Sequence, residues 1–192
     1  FGITASKLLI NGNSNQFYEN AIYGPIVLSI LTLFINFFFP LNKFIGSIIA
    51  LYAFVVFFKF FLNQEKKIKI IKFLIITSII SILLIFLSNI NRPDAGLYHL
   101  PYISLINENK IIIGSSNIHF RFGHISSLQY ISAAFNNYFF PIEFITMPMA
   151  TIASFFFYFV SQKFLKSLKK DNSFFTLLFF LTLIFSIYSF NR

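Results

Sequence analysis

The chain has 192 residues and a formal net charge of +9, yet only 11% of its residues are charged and 57% are hydrophobic, with a mean hydropathy of +0.76. Soluble domains carry about 25% charged residues, so this composition excludes a self-contained soluble domain and points to a membrane protein. Zero cysteine excludes disulfides and thiolate metal sites, and 31 Phe beside no Trp means that the aromatic content is not a tryptophan interface belt.

Five apolar segments are long enough to cross a bilayer, which takes about 17–25 residues. They run over 22–39, 44–62, 71–88, 142–162 and 174–190. In lipid each must satisfy its own backbone hydrogen bonds, so each is expected to be helical. The first two are joined by the tight "PLNK" turn, with Pro40 as the break. The expected fold is therefore all-α: one polytopic transmembrane helix bundle over 1–192, with a large external loop at 89–141. The chain opens on Phe1 and its last apolar run stops at Arg192, so it reads as a fragment of a longer protein, for which a missing signal peptide carries no information.

Lysines orient the array. The connections "NQEKKIKIIK" and "KFLKSLKKDN" hold Lys66, Lys67, Lys69, Lys72, Lys163, Lys166, Lys169 and Lys170, whereas the "PLNK" turn and residues 89–141 hold only Lys43, Arg92, Lys110 and Arg121. The positive-inside rule puts the lysine-rich connections in the cytoplasm and the long loop outside, consistently over all five spans. Anionic lipid and nucleic acid are the alternative targets for such clusters, but lysines that flank spans are topology signals first, and no nucleic-acid partner is expected.

The loop contains a polar island, "NRPDAGLYHLPYISLINENKIIIGSSNIHFRFGH", residues 91–124, which holds all three histidines together with Arg92, Asp94, Glu108, Lys110 and Arg121. A connection of about fifty residues is too long to be bare loop. Pro93-Asp94 followed by Gly96 signals a turn. A short helix is expected near 99–109, with Pro101 in its first turn and Leu100, Ile103 and Ile106 (or Leu105) on one side. In "KIIIGSSNIHFRFG" the alternation Ile118-His119-Phe120-Arg121-Phe122 predicts an extended piece with His119 and Arg121 on one face. A second helix is expected near 125–138, with Ile125, Leu128, Ile131, Phe135 and Tyr138 as its apolar stripe. Both helices are expected to lie in the membrane interface. There is no GxGxxG, Walker loop or HExxH motif, the histidines lack zinc spacing, and Asp94 and Glu108 stand fourteen residues apart, so neither a metal nor another cofactor is expected.

An apolar span followed by "PDAGLYHLPYISLI" and then "NIHFRFGHISSLQY" resembles the first large external loop of the GT-C membrane glycosyltransferases, and in particular a group of uncharacterised bacterial multi-spanning proteins assigned to that superfamily. The resemblance is best over about residues 71–162. It implies a multi-pass protein of the bacterial inner membrane with loop 89–141 in the periplasm, a polyprenyl-phosphate sugar donor, and a glycan or lipid acceptor. Carried over by position, the catalytic base is Asp94. Members often have a second acid beside the first, but here Ala95 and Gly96 follow, which argues against metal assistance. Members also have about twice as many spans. A polyprenyl phosphate is already a stable leaving anion, so one carboxylate suffices to take the acceptor proton. Under the same resemblance Arg121, with His119 or His124, stabilises charge on the departing phosphate, and Tyr98 and His99 contact sugar or acceptor.

Plainer roles remain open for each residue. Asp94 can cap the following helix or pair with Arg92. Arg121 can form an interfacial ion pair, and His99, His119 and His124 can hold the loop by hydrogen bonds. Two other functions also remain open: an O-antigen-type polymerase or ligase using loop Arg and His, and a transporter or flippase without bond chemistry. The spans carry no interior acid, and Lys59 sits in a last turn where it can snorkel, which argues against ion-coupled transport.

Overall fold

The computed structural model describes residues 1–4, 17–65, 67–87, 95–123, 126–140, 142–169 and 173–190. Among them the regular structure is helical, without a strand. The main helices are α1 (Phe17–Phe38), α2 (Lys43–Leu62), α3 (Lys67–Leu87), α4 (Leu100–Glu108), α5 (Ser127–Phe135), α6 (Met147–Lys169) and α7 (Ser173–Phe190). Four helical stretches are long and apolar enough to cross a membrane: Asn20–Phe38, Lys43–Leu62, Lys67–Phe86 and Phe144–Lys169. The fifth expected span forms α7, but its described apolar stretch, Ser173–Tyr188, is shorter than the other four. Only 17–28% of the residues in the four spanning windows are buried. The rest present Phe, Ile and Leu outward, a surface that water would not tolerate but lipid does.

Helix ends depart from the expected spans where lysine is involved. The third span, α3, begins at Lys67 rather than at residue 71, and the fourth span, α6, runs to Lys169 rather than stopping at 162. Lysine is a good helix former whose stem can lie along apolar surface while its ammonium reaches water, so these flanks remain helical. At its other end the fourth span opens with a 3₁₀ turn, Ile142–Thr146, before α6 starts.

α3 and α6 run antiparallel. Phe73 packs on Phe155 and Tyr158, with ring centroids 5.4 and 4.8 Å apart, while Ser81 Oγ donates to Ser154 Oγ at 3.0 Å. This pairing sets Lys67, Lys69 and Lys72 at the same end of the molecule as Lys163, Lys166 and Lys169. The α1–α2 turn and the island occupy the opposite end, where the Leu41 amide donates to Ile106 O at 3.0 Å.

The island end is organised around α5, which packs against α1, α2, α4 and α6. Tyr130, Ile131, Ser132, Ala133 and Ala134 are all buried, so α5 is an enclosed hub with a wider buried face than the expected stripe; Tyr138, assigned to that stripe, is 72% exposed. Alanines at 133 and 134 let other backbones come close. A Cβ on Gly46 of α2 would lie 2.6 Å from Ala134 O, so only glycine fits there. In α4, Ile103 and Ile106 are buried as expected, but Leu100 is exposed, and Tyr102 and Asn107 take the inner face.

Asparagine amides hold this end together. Asn107 Nδ2 donates to Leu41 O at 2.6 Å and to Ala133 O at 2.9 Å, while its Oδ1 accepts from Asn136 Nδ2 at 2.8 Å. Asn36 Nδ2 donates to Asn109 O at 3.0 Å and Ile106 O at 3.4 Å, and Ile111 N returns a bond to Asn36 O at 2.9 Å. Between these contacts Leu41, fully buried, plugs the turn into a core of Tyr102, Ile103, Ile106, Phe122, Tyr130 and Ile145. In that core burial, reinforced by the neighbouring Tyr102 phenol, pushes the Tyr130 hydroxyl well above the ordinary tyrosine range. Replacing Asn107 by Ala removes the side-chain donor to Leu41 O and the acceptor of the Asn136 amide, and leaves Ala133 O only the Asn136 N–H, at a cost of roughly 1–3 kcal/mol for each unmet group. The expected result is a loss of about 3 kcal/mol or more in unfolding measurements in detergent. Asn107→Asp should be no better, because a carboxylate cannot donate; wild-type stability in either variant would contradict this account.

Candidate functional site

The segment entering α4, Ala95–His99, is a π-helical turn, a geometry found mostly at single-turn bulges and often at functional sites. Pro101 suits the first turn of α4 because it has no N–H to leave unpaired. The turn delivers Tyr98, half-buried against the island core, and His99, exposed, with ring centroids 4.2 Å apart.

The segment 118–122 is not extended. Two 3₁₀ turns, Ser115–Asn117 and Phe120–Gly123, replace the expected strand. An extended piece needs a ladder partner, and among the described residues none exists. Instead Gly114, at φ +80°, turns the chain, and His119 Nδ1 accepts from the Arg121 amide at 3.3 Å, closing a local turn. His119 and Arg121 therefore do not share one face of a strand. The His119 ring stacks near Phe120 and Phe122 at 5.0 and 5.2 Å. Arg121 reaches back across the island, with its guanidinium carbon 4.6 Å from the Tyr98 ring centroid and 5.6 Å from that of Phe120. A cation over an aromatic face at this range is attracted by the ring quadrupole.

Gln129, which sequence reasoning missed, orients His99. It is the third residue of α5, and its Oε1 accepts from the Ser126 amide at 3.1 Å in a capping box whose other half is Leu128 N to Ser126 Oγ at 3.3 Å. With Oε1 occupied, Nε2 faces His99 Nδ1 at 3.2 Å. An amide donor on Nδ1 requires that nitrogen to be unprotonated, which puts the proton of the neutral ring on Nε2. The Ser126-x-x-Gln129 spacing is the signal that could have revealed it.

Of the residues singled out from the sequence, Arg121 meets Tyr98, His99 is the chain neighbour of Tyr98 in the same π-helical turn, and His119 shapes the turn that carries Arg121. Asp94 and His124 lie outside the described residues. Among the described residues no three His, Asp or Glu side chains are grouped as a metal site would need. The turn offers two donor groups: a guanidinium held on a tyrosine face and an exposed imidazole with its Nε2 proton free of the Gln129 contact. Such groups suit phosphate or sugar oxygens.

Apolar spans, a lysine-rich end and a helical polar cap at the other end make this an α-helical multi-pass membrane protein. The chain belongs to the family described as a domain of unknown function, DUF8201, whose sequence model matches residues 1–191. No curated protein and no solved structure matches the chain.

Replacing Gln129 by Leu keeps the helix and its bulk but removes the donor to His99. In nitrogen NMR of a histidine-labelled sample, the His99 signals should move from the single-tautomer pattern, with the proton on Nε2, toward a tautomer mixture. An unchanged His99 pattern would mean that Gln129 does not set the tautomer.

Proposed function

We propose that the protein is a membrane glycosyltransferase that moves a sugar from a polyprenyl-phosphate donor to a glycan or lipid acceptor at the outer face of a bacterial inner membrane. The observation that carries this reading is the Arg121 guanidinium set on the Tyr98 ring, in the turn that also bears His99 and directly follows Asp94 in the chain. In the proposed reaction Asp94 takes the proton of the acceptor hydroxyl. The acceptor oxygen attacks the anomeric carbon, and the bond from that carbon to the phosphate oxygen breaks, releasing polyprenyl phosphate with one more negative charge. Arg121 and the His99 Nε2 proton offset that charge, and no second carboxylate is needed because the leaving group requires no proton. Tyr98 keeps the guanidinium in place, so little ordering is left to do when the phosphate arrives.

The positive-inside rule supports the sidedness, with the six described lysines of α3 and α6 in the cytoplasm and the island in the periplasm. Compartment reporters fused at Asn109 and at Lys169 should report opposite sides, periplasm at Asn109; a cytoplasmic signal there would remove the mechanism.

Asp94→Asn in the full-length protein keeps the side-chain shape and removes the charge. Sugar transfer should fall by roughly 10²–10⁴, the usual contribution of a general base, with membrane insertion and yield unchanged. A helix-capping aspartate behaves differently, because Asn caps about as well. Near-normal transfer by Asp94→Asn would end the assignment of Asp94 as base and leave polymerase or ligase chemistry on Arg121 and the histidines.

A further inference from the structure

We infer that the lysine-rich end binds an anionic phospholipid, its headgroup phosphate on the lysines of α3 and α6 and an acyl chain in the cleft between α6 and α7. The antiparallel pairing of α3 with α6 brings lysines from two distant segments to one end. Lys67, Lys69, Lys72, Lys166 and Lys169 are exposed, and Lys163 is half-buried. Glu65 is the one acidic side chain described at that end. Two of the ammoniums rest on aromatic faces rather than extending freely: Lys163 Nζ lies 5.3 Å from the Phe159 ring centroid, and Lys67 Nζ lies 6.0 Å from that of Phe61.

Between α6 and α7, at the level of the α6 lysines along the helix, lies a cleft of about 360 Å³, lined by Phe164, Leu168, Ser173, Thr176, Leu177 and Phe180. Its walls are mainly aromatic and aliphatic, and its size falls within the range of about 300–1,000 Å³ typical of ligand-binding clefts. Ser167 and Thr176 hydroxyls, 3.0 Å apart, tie the two helices together beside it. A topology signal acts during insertion and needs no cleft. An apolar slot beside clustered ammoniums is what an amphipathic anion with a fatty tail requires, and basic sites between membrane helices hold such headgroups. The inference rests on membrane insertion and not on the glycosyl-transfer reading, so each can fail alone.

The test is native mass spectrometry of the full-length protein released from vesicles of equal parts phosphatidylglycerol and phosphatidylcholine. Phosphatidylglycerol should be retained preferentially, and glycerol phosphate at the same concentration should not displace it. Replacing Lys67, Lys69 and Lys72 together by Gln should lower its retention by about tenfold or more. Leu177→Trp, which narrows the cleft and leaves every lysine in place, should lower it as well. Labelling Asn63→Cys, against a control without that substitution, checks that the triple variant keeps its orientation; if it inverts, Leu177→Trp decides. Equal retention of the two lipids by the wild type, or undiminished phosphatidylglycerol in Leu177→Trp, would overturn the inference.

Discussion

Three helices end at the same place, and each leaves backbone carbonyls without an intrahelical partner. α1 presents Asn36 O, α4 presents Ile106 O, and α5 presents Ala133 O, all away from bulk water. Unmet carbonyls in such a place are costly, and the three negative helix ends would repel one another. Main-chain amides of Ile111, Leu41 and Asn136 reach these three carbonyls, and asparagine side chains add further donors: Asn107 on Leu41 and Ala133, Asn36 on Ile106 and Asn109, and Asn137 on Ala134. A neutral amide suits this better than lysine would, because it brings two donors without a charge to desolvate. Everything else at the island end depends on this clasp.

The clasp also explains how a short loop helix supports the candidate site. α5 has only nine residues, too few to be stable alone, and it persists because its surroundings enclose it. Its first turn carries Gln129, whose amide is divided between the helix cap and His99. The same residue therefore caps the start of a helix and contacts an imidazole. Phe122, buried against Tyr102, anchors the turn from which Arg121 reaches Tyr98. The Arg121 side chain is thus held by the core residue next to it, which gives a loop group the positional definition usually supplied by longer helices.

The two ends of the molecule solve different problems. Along the spans the helices α3, α6 and α7 pack through small hydroxyls and stacked aromatics, as at Ser81 with Ser154, Phe73 with Phe155, and Thr176 with Ser167 nearer the lysine end. Such contacts suit helices in lipid, where apolar burial gives little drive to associate and close packing with hydrogen bonds gives more. The island end behaves like a small soluble core, with Leu41, Tyr130 and Ala133 almost completely excluded from solvent.

The amino-acid sequence by itself determined the all-α membrane class, the positions of the apolar helices, the division into a lysine-rich and a polar end, and the two short island helices. Those features follow from composition, from run length and from backbone hydrogen bonding that lipid imposes locally. Their edges moved where lysine stems extended a helix past the apolar run. What only the tertiary structure decided was long-range: that α5 is a hub and not a surface-lying helix, that Leu41 is a core plug, that 118–122 turns instead of extending, and that Arg121 meets Tyr98 while Gln129 meets His99. The alternation in Ile118-His119-Phe120-Arg121-Phe122 is compatible with a strand, but a strand is stabilised by a partner, and whether one is near depends on the whole chain. The asparagines were equally ambiguous, because Asn36, Asn107 and Asn136 read as ordinary polar residues until three helix ends, far apart in sequence, arrive at one point and need donors.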